Sequence, residues 1–131
     1  MYFAGQEIAR SSNAYRVLET SHPPSWYLPP DSVRKDQLVQ TAKQSFCEWK
    51  GRATYWTVRA GGQFAENAAW SYSSPEREFA AIRNYFAFYP NAFECYVDGE
   101  RVEPQPGGFY GGWITKDLAG PFKGIPGSSG W

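Results

Sequence analysis

The chain has 131 residues, and its thirteen Lys plus Arg cancel thirteen Asp plus Glu, for a formal net charge of zero. That length predicts one domain, and the balanced charge excludes the long-range field that draws proteins to nucleic acid or an anionic membrane. Phe, Tyr and Trp total 24 residues against 14 Leu, Ile and Val; a core built from rings favours pleated surfaces, so a mainly β protein is expected.

In chain order, residues 6–10 and 14–19 read as two short strands around Ser11-Ser12-Asn13. The Pro-rich stretch from His22 to Asp31 leaves room only for a brief edge strand at Trp26–Leu28. Cys47-Glu48-Trp49-Lys50-Gly51 ends in a turn-forming glycine. Arg52–Arg59 then reads as a strand, Gly61-Gly62 as a turn, and Glu66–Tyr72 as the returning strand of an antiparallel hairpin. One short helix is predicted at about 75–84, with Ser74 as N-cap, Pro75 in the first position, Glu76 and Glu78 at the positive end of the dipole, and Phe79 and Ile82 as its apolar face. Phe86–Tyr89 and Phe93–Asp98 read as strands, and Asp98-Gly99 as a tight turn before Arg101-Val102-Glu103. Residues 1–103 are expected to form the domain. The last 28 residues hold eight Gly and four Pro, which argues for an irregular tail. That tail carries Phe109, Tyr110, Trp113, Phe122 and Trp131, so it is expected to dock its rings on the same domain.

Cys47, Cys95 and the single histidine, His22, fall short of the four nitrogen and sulfur ligands of a structural zinc site. No metal and no cofactor is therefore expected. The longest apolar runs are too short to span a bilayer, and Met1–Glu7 lacks the basic and apolar regions of a signal peptide. A cytoplasmic protein with reduced thiols is the expectation. Its partner would be a small-molecule ligand, not nucleic acid or membrane, and the chain would be a monomer or weak homo-oligomer.

Four ordered segments resemble domain-of-unknown-function family 427. They are Trp26–Arg34 (WYLPPDSVR), Cys47–Trp56 (CEWKGRATYW), Glu66–Tyr72 (ENAAWSY) and Phe86–Tyr89 (FAFY), and the resemblance covers roughly residues 6–98. Phe109–Trp113 with Gly120–Gly124 is similar to the tail of a longer subset of that family. The resemblance implies a β-tent-like fold, akin to the Mss4-type and methionine sulfoxide reductase B domains, in which two antiparallel sheets meet along one edge and splay open. Several of those relatives bind zinc through paired Cys-x-x-Cys motifs, which this chain lacks. The family also carries a nucleotidyltransferase-like label. Metal-dependent transferases need a Gly-Ser followed by closely spaced carboxylates, whereas the one Gly-Ser here, Gly127-Ser128, has nothing acidic after it.

Tyr27, Tyr55, Trp56, Trp70 and Tyr72 form the densest ring group. In a tent they would either line the cleft between sheets, where they could stack a flat ligand or hold a cation, or fill the core. Asn67, opening the second hairpin strand, would bond a ligand or satisfy the turn. Lys50, beside Gly51 and Cys47, is either an anion-binding or nucleophilic lysine or an ordinary surface lysine in a turn. Asp31 with Arg34, Lys35 and Asp36 is a catalytic carboxylate beside an anion-binding arginine, or a solvated charge group. Cys47 is a redox nucleophile or an inert thiol, Cys95 is expected in the core, and nothing places a nucleophile near His22. The leading reading is a small-ligand-binding domain with an aromatic cleft between two sheets. Two others stand beside it: an enzyme using Lys50 with Asp31 or Cys47, and a structural or interaction protein.

Overall fold

The computed structural model describes residues 1–18, 23–47, 50–105 and 111–116. A hairpin of β1 (Tyr2–Phe3) and β2 (Gln6–Glu7) comes first, followed by β3 (Tyr15–Val17) and β4 (Ser25–Leu28). Three strands of ten residues succeed them: β5 (Leu38–Cys47), β6 (Gly51–Ala60) and β7 (Gln63–Tyr72). The chain continues through β8 (Phe86–Phe88), the pair β9 (Tyr96–Val97) and β10 (Glu100–Arg101), and the pair β11 (Glu103–Pro104) and β12 (Trp113–Ile114). Strands β3 to β8 make one six-stranded sheet in the order β3-β4-β8-β7-β6-β5, with antiparallel neighbours throughout. The expected mainly β, antiparallel architecture is what the chain adopts.

The β6–β7 hairpin forms around Gly61-Gly62 as its sequence demands, and β9 and β10 close around Asp98-Gly99. The helix expected at 75–84 is shorter and tighter, a 3₁₀ helix over Arg77–Ile82 with Glu76 rather than Ser74 at its N-cap and no side-chain cap. The Ser74 carbonyl oxygen lies where a side chain on Gly51 would meet it, 2.9 Å from an ideal Cβ, so Gly51 and Ser74 are in close backbone contact. Several expected strands contract: residues 6–10 to β2 plus an isolated bridge from Ala9 to Val33, and 93–98 to β9. The second expected strand holds at Tyr15–Val17, its expected end at Glu19 lying outside the described residues.

Two bulges shape the long strands. Gln40 pairs with Trp56 and Gln44 with Thr54, so Thr41, Ala42 and Lys43 stand opposite Tyr55 alone. On the other side of β6, Trp56 pairs with Ala69 and Val58 with Ala65, so Glu66, Asn67 and Ala68 stand opposite Thr57. A polar clasp ties the two together. Thr41 Oγ1 donates to Asn67 Oδ1 at 2.6 Å, the Asn67 amide donates to Thr57 Oγ1 at 3.2 Å, and Asn67 takes the left-handed conformation, φ 50°. Asparagine tolerates that region better than most residues, so the Asn67 side chain and backbone together set the bulge.

Each face of the sheet buries its own core. On one face Tyr27, Ala53, Tyr55, Trp70, Tyr72 and Ala87 pack with Ile82 of the 3₁₀ helix. On the other, Leu28, Leu38, Val58, Ala65, Ala69, Phe86 and Phe88 pack with Ile8, Val33, Phe93, Cys95, Val102 and Trp113. Alternation along β6 and β7 accounts for the division, since neighbouring residues point to opposite faces.

Cys95 is in the core as expected, 1% exposed, and burial pushes its thiol up to about 12 from 9.0. Between those values the folded state keeps a proton that the unfolded chain has released, so stability is full below about pH 9 and falls as pH rises toward 12. The complete loss from this group is on the order of 4 kcal/mol. Urea midpoints measured from pH 7 to 10 should therefore decline above pH 9 in the wild type and decline less steeply in Cys95→Ala. Parallel curves would show that Cys95 does not govern the alkaline limb.

The tail departs from the expectation of wholly irregular structure, because Trp113–Ile114 pairs with Glu103–Pro104. Trp113 is 4% exposed; its indole N–H donates to the Phe88 carbonyl at 3.0 Å and its backbone amide to the Pro24 carbonyl at 2.8 Å. Gly111 lies against the Trp70 indole and Gly112 against Pro23 so closely that neither position has room for a Cβ. Phe109, Tyr110, Phe122 and Trp131 lie outside the described residues.

Candidate functional site

Four of the five expected rings converge. Tyr27 and Trp70 meet edge to face with centroids 6.2 Å apart, Tyr27 and Tyr72 lie 6.4 Å apart, and the Trp70 indole N–H donates to the Tyr27 hydroxyl at 3.1 Å. Tyr55 is in the same layer, opposite Trp70 across the β6–β7 ladder, with its hydroxyl 2.9 Å from Ser45 Oγ. All four are buried. Burial, reinforced by the neighbouring Tyr27 phenol, pushes the Tyr72 hydroxyl far above its usual range. Trp56 stands on the opposite face, half-buried, packed edge to face on Phe86 at 5.5 Å and donating to Ser71 Oγ at 3.0 Å.

The expected polar residues scatter. Lys50 is not a surface lysine; it is 7% exposed, with its ammonium 5.8 Å from the Tyr72 ring centroid. Cys47 packs half-buried on the same ring layer. Asp31 is exposed in the 3₁₀ turn Pro30–Ser32, Arg34 and Asp36 make only a 4.0 Å surface contact, and Lys35 is exposed. Asn67 is held in the bulge clasp. His22, Glu48 and Trp49 lie outside the described residues.

A cleft does open between sheets, but other rings line it. A cavity of about 680 Å³ separates the β4 end of the main sheet from the β1–β2 and β9–β10 hairpins, with Tyr2, Trp26, Tyr96 and Trp113 on its walls. Trp26 projects there because it precedes Tyr27 in β4, and adjacent strand residues face opposite ways. Tyr2 and Tyr96 meet edge to face with centroids 6.3 Å apart, and the Arg101 guanidinium already sits 5.7 Å over the Tyr96 ring. At the rim Arg10 donates twice to Glu7, at 2.9 and 2.8 Å, and once to the Tyr2 hydroxyl at 3.3 Å. The Arg10 guanidinium holds the Glu7 carboxyl below its usual range, and Glu7 in turn raises Arg10. With those two charges paired, Asp98 at the β9–β10 turn and the Met1 ammonium, which donates to the Ala9 carbonyl at 3.0 Å, are the charges at the cleft without an ion pair among the described residues. Such a site suits a flat apolar surface or a cation better than an anion.

Among the described residues no three His, Cys, Asp or Glu side chains gather as a metal site, and no helix is long and apolar enough to cross a membrane. Sheet and cleft together define a small antiparallel β domain with a ligand-sized opening between its layers. The chain belongs to the family described as Domain of unknown function (DUF427), whose profile matches residues 1–102. No curated protein sequence matches the chain.

Proposed function

We propose that this protein is a small-ligand-binding module whose site is the cleft between the main sheet and the two hairpins. The observation that carries this reading is the convergence of Tyr2, Trp26, Tyr96 and Trp113 on one cavity of about 680 Å³. That volume falls inside the range of roughly 300–1,000 Å³ usual for small-molecule sites. Its ligand is planar and neutral or cationic: rings supply the walls, and Tyr96 already accepts a guanidinium on its face. The splayed relation of sheet and hairpins supports the β-tent reading of the fold. We take residues 1–103 as the domain and 104–131 as an extension docked on it, with Trp113 completing the cleft wall. The edge strand β5 carries a bulge and Lys43, two devices that discourage strand addition, in keeping with a monomer or weak homo-oligomer; a cytoplasmic setting without nucleic-acid or membrane partners is part of the same proposal.

The family's short name refers to nucleotidyl transfer, but the residues favour binding. Lys50 rests its ammonium against Tyr72 inside the ring layer, and Asp31 is exposed at a turn. Screening nucleosides, other heteroaromatics and quaternary ammonium compounds by thermal shift and tryptophan fluorescence should find stabilising ligands. Trp26→Ala should weaken them at least about tenfold, since it removes a stacking face, while the free protein, losing a half-buried ring packed on the core, melts lower by only several °C and stays folded. A panel without any shift, or shifts that survive intact in Trp26→Ala, would rule out this cleft.

A further inference from the structure

The two bulges aim side chains into a second, separate pocket. It has a volume of about 330 Å³ and is lined by Lys43 from the β5 bulge, Glu66, Asn67 and Ala68 from the β7 bulge, and Tyr89, Asn91 and Ala92 from the segment after β8. Bulges recur beside functional sites because they re-aim side chains that a regular strand would send elsewhere. Here both flank β6, and both deliver their residues to one concavity.

The chemistry of the lining is specific. The Lys43 ammonium sits 4.5 Å over the Tyr55 ring centroid, which fixes its place without neutralising it. Glu66 shares the pocket with Lys43, yet the two make no ion pair. Asn67 accepts through Oδ1 from Thr41, an orientation that leaves its Nδ2 hydrogens available. Tyr89 forms the apolar wall, and its phenol is held neutral by burial and by a hydrogen bond with Tyr55. A positive donor, a separate negative acceptor and a neutral amide donor are thus held around one small space. Opposite charges that share a pocket without touching are bridged best by a ligand carrying the complement of both.

We propose that this pocket binds a small zwitterion of the amino-acid type, its carboxylate on Lys43 and Asn67 Nδ2 and its ammonium on Glu66. A simple anion would meet the Glu66 charge, and a simple cation the Lys43 charge, so neither is matched as well. Sugars would leave both charges uncompensated. The site is independent of the aromatic cleft, because the two cavities share no lining residue.

Calorimetric titration of the full chain with glycine, L-alanine and L-glutamine, beside acetate, methylammonium and glucose, tests this. Saturable binding of at least one amino acid is expected, with acetate, methylammonium and glucose weaker by about tenfold or more, as loss of one charge-assisted contact implies. Lys43→Ala and Glu66→Gln should each weaken the amino acid by a similar factor, whereas Trp26→Ala should leave it unchanged. Both substituted residues are exposed, so the variants are expected to fold, and circular dichroism checks that. The proposal is overturned if no amino acid binds saturably, if acetate, methylammonium or glucose binds as tightly, if folded Lys43→Ala and Glu66→Gln bind like the wild type, or if Trp26→Ala abolishes the signal.

Discussion

Replacing Trp70 by alanine should lower the unfolding free energy by about 3–5 kcal/mol, the range for removing a buried large aromatic. Trp70 is 8% exposed, touches the Tyr27 and Tyr89 rings with centroids 6.2 and 4.7 Å away, and gives its indole N–H to the Tyr27 hydroxyl. Gly111 rests on its far edge, so the cavity left behind would also undercut the docked tail. Trp56 is the contrasting case. It is half-buried on the other face, and Trp56→Ala should cost only about 1–2 kcal/mol, part of it from the Ser71 hydroxyl left without its donor. Urea unfolding of the two variants provides the comparison. Equal losses would mean that both rings are full core members, each on its own face.

Trp113→Ala should be nearly as damaging, by about 3–5 kcal/mol. That loss corresponds to a melting temperature lower by on the order of 10 °C for a domain of this size. Ordering an extended Gly-rich segment costs roughly 1–2 kcal/mol of backbone entropy per residue, and a single buried indole with two good hydrogen bonds offsets much of it. Truncation after Glu103 removes the ring together with the strand that pairs with β11, so it should lower the melting temperature at least as far and expose apolar surface to a reporter dye. A truncated chain that melts with the full-length protein and binds no more dye would show that the segment does not support the domain. The same ring lines the cleft, so truncation should also abolish ligand binding there, unlike a core variant that merely loosens the fold.

The β6–β7 hairpin was legible because its rings and alanines alternate over ten residues around a Gly-Gly turn. Strand β5 was not. Of its ten residues only Leu38 is buried, so Gln40, Lys43, Gln44 and Ser45 carry no period, and backbone pairing with β6 holds the strand, together with side-chain contacts from Thr41, Lys43 and Ser45 that no local pattern announces. The helix after β7 is legible in place but not in type: Pro75, Glu76 and Glu78 mark a helix start equally for an ordinary helix and for the 3₁₀ turn observed over Arg77–Ile82. Ring clustering was legible and its use was not. Tyr27, Tyr55, Trp70 and Tyr72 come together, yet burial makes them a core layer. Trp26, their immediate neighbour in sequence, faces the opening instead. Which side of a strand meets solvent depends on the small hairpins packed against it, and those have only two residues per strand.

The bulges in β5 and β7 each insert two residues more than the facing strand, an even number. Inside and outside are therefore not exchanged on crossing them. Tolerance to length change at these points has a parity. Losing or gaining a pair of residues leaves every later side chain on its own face, and a single insertion or deletion turns the rest of the strand over. One residue removed between Thr41 and Lys43 would bring exposed Phe46 to the face of the buried tyrosines and turn Cys47 outward. Length variation here should therefore survive in steps of two, and the pocket between the bulges can change size only in those steps.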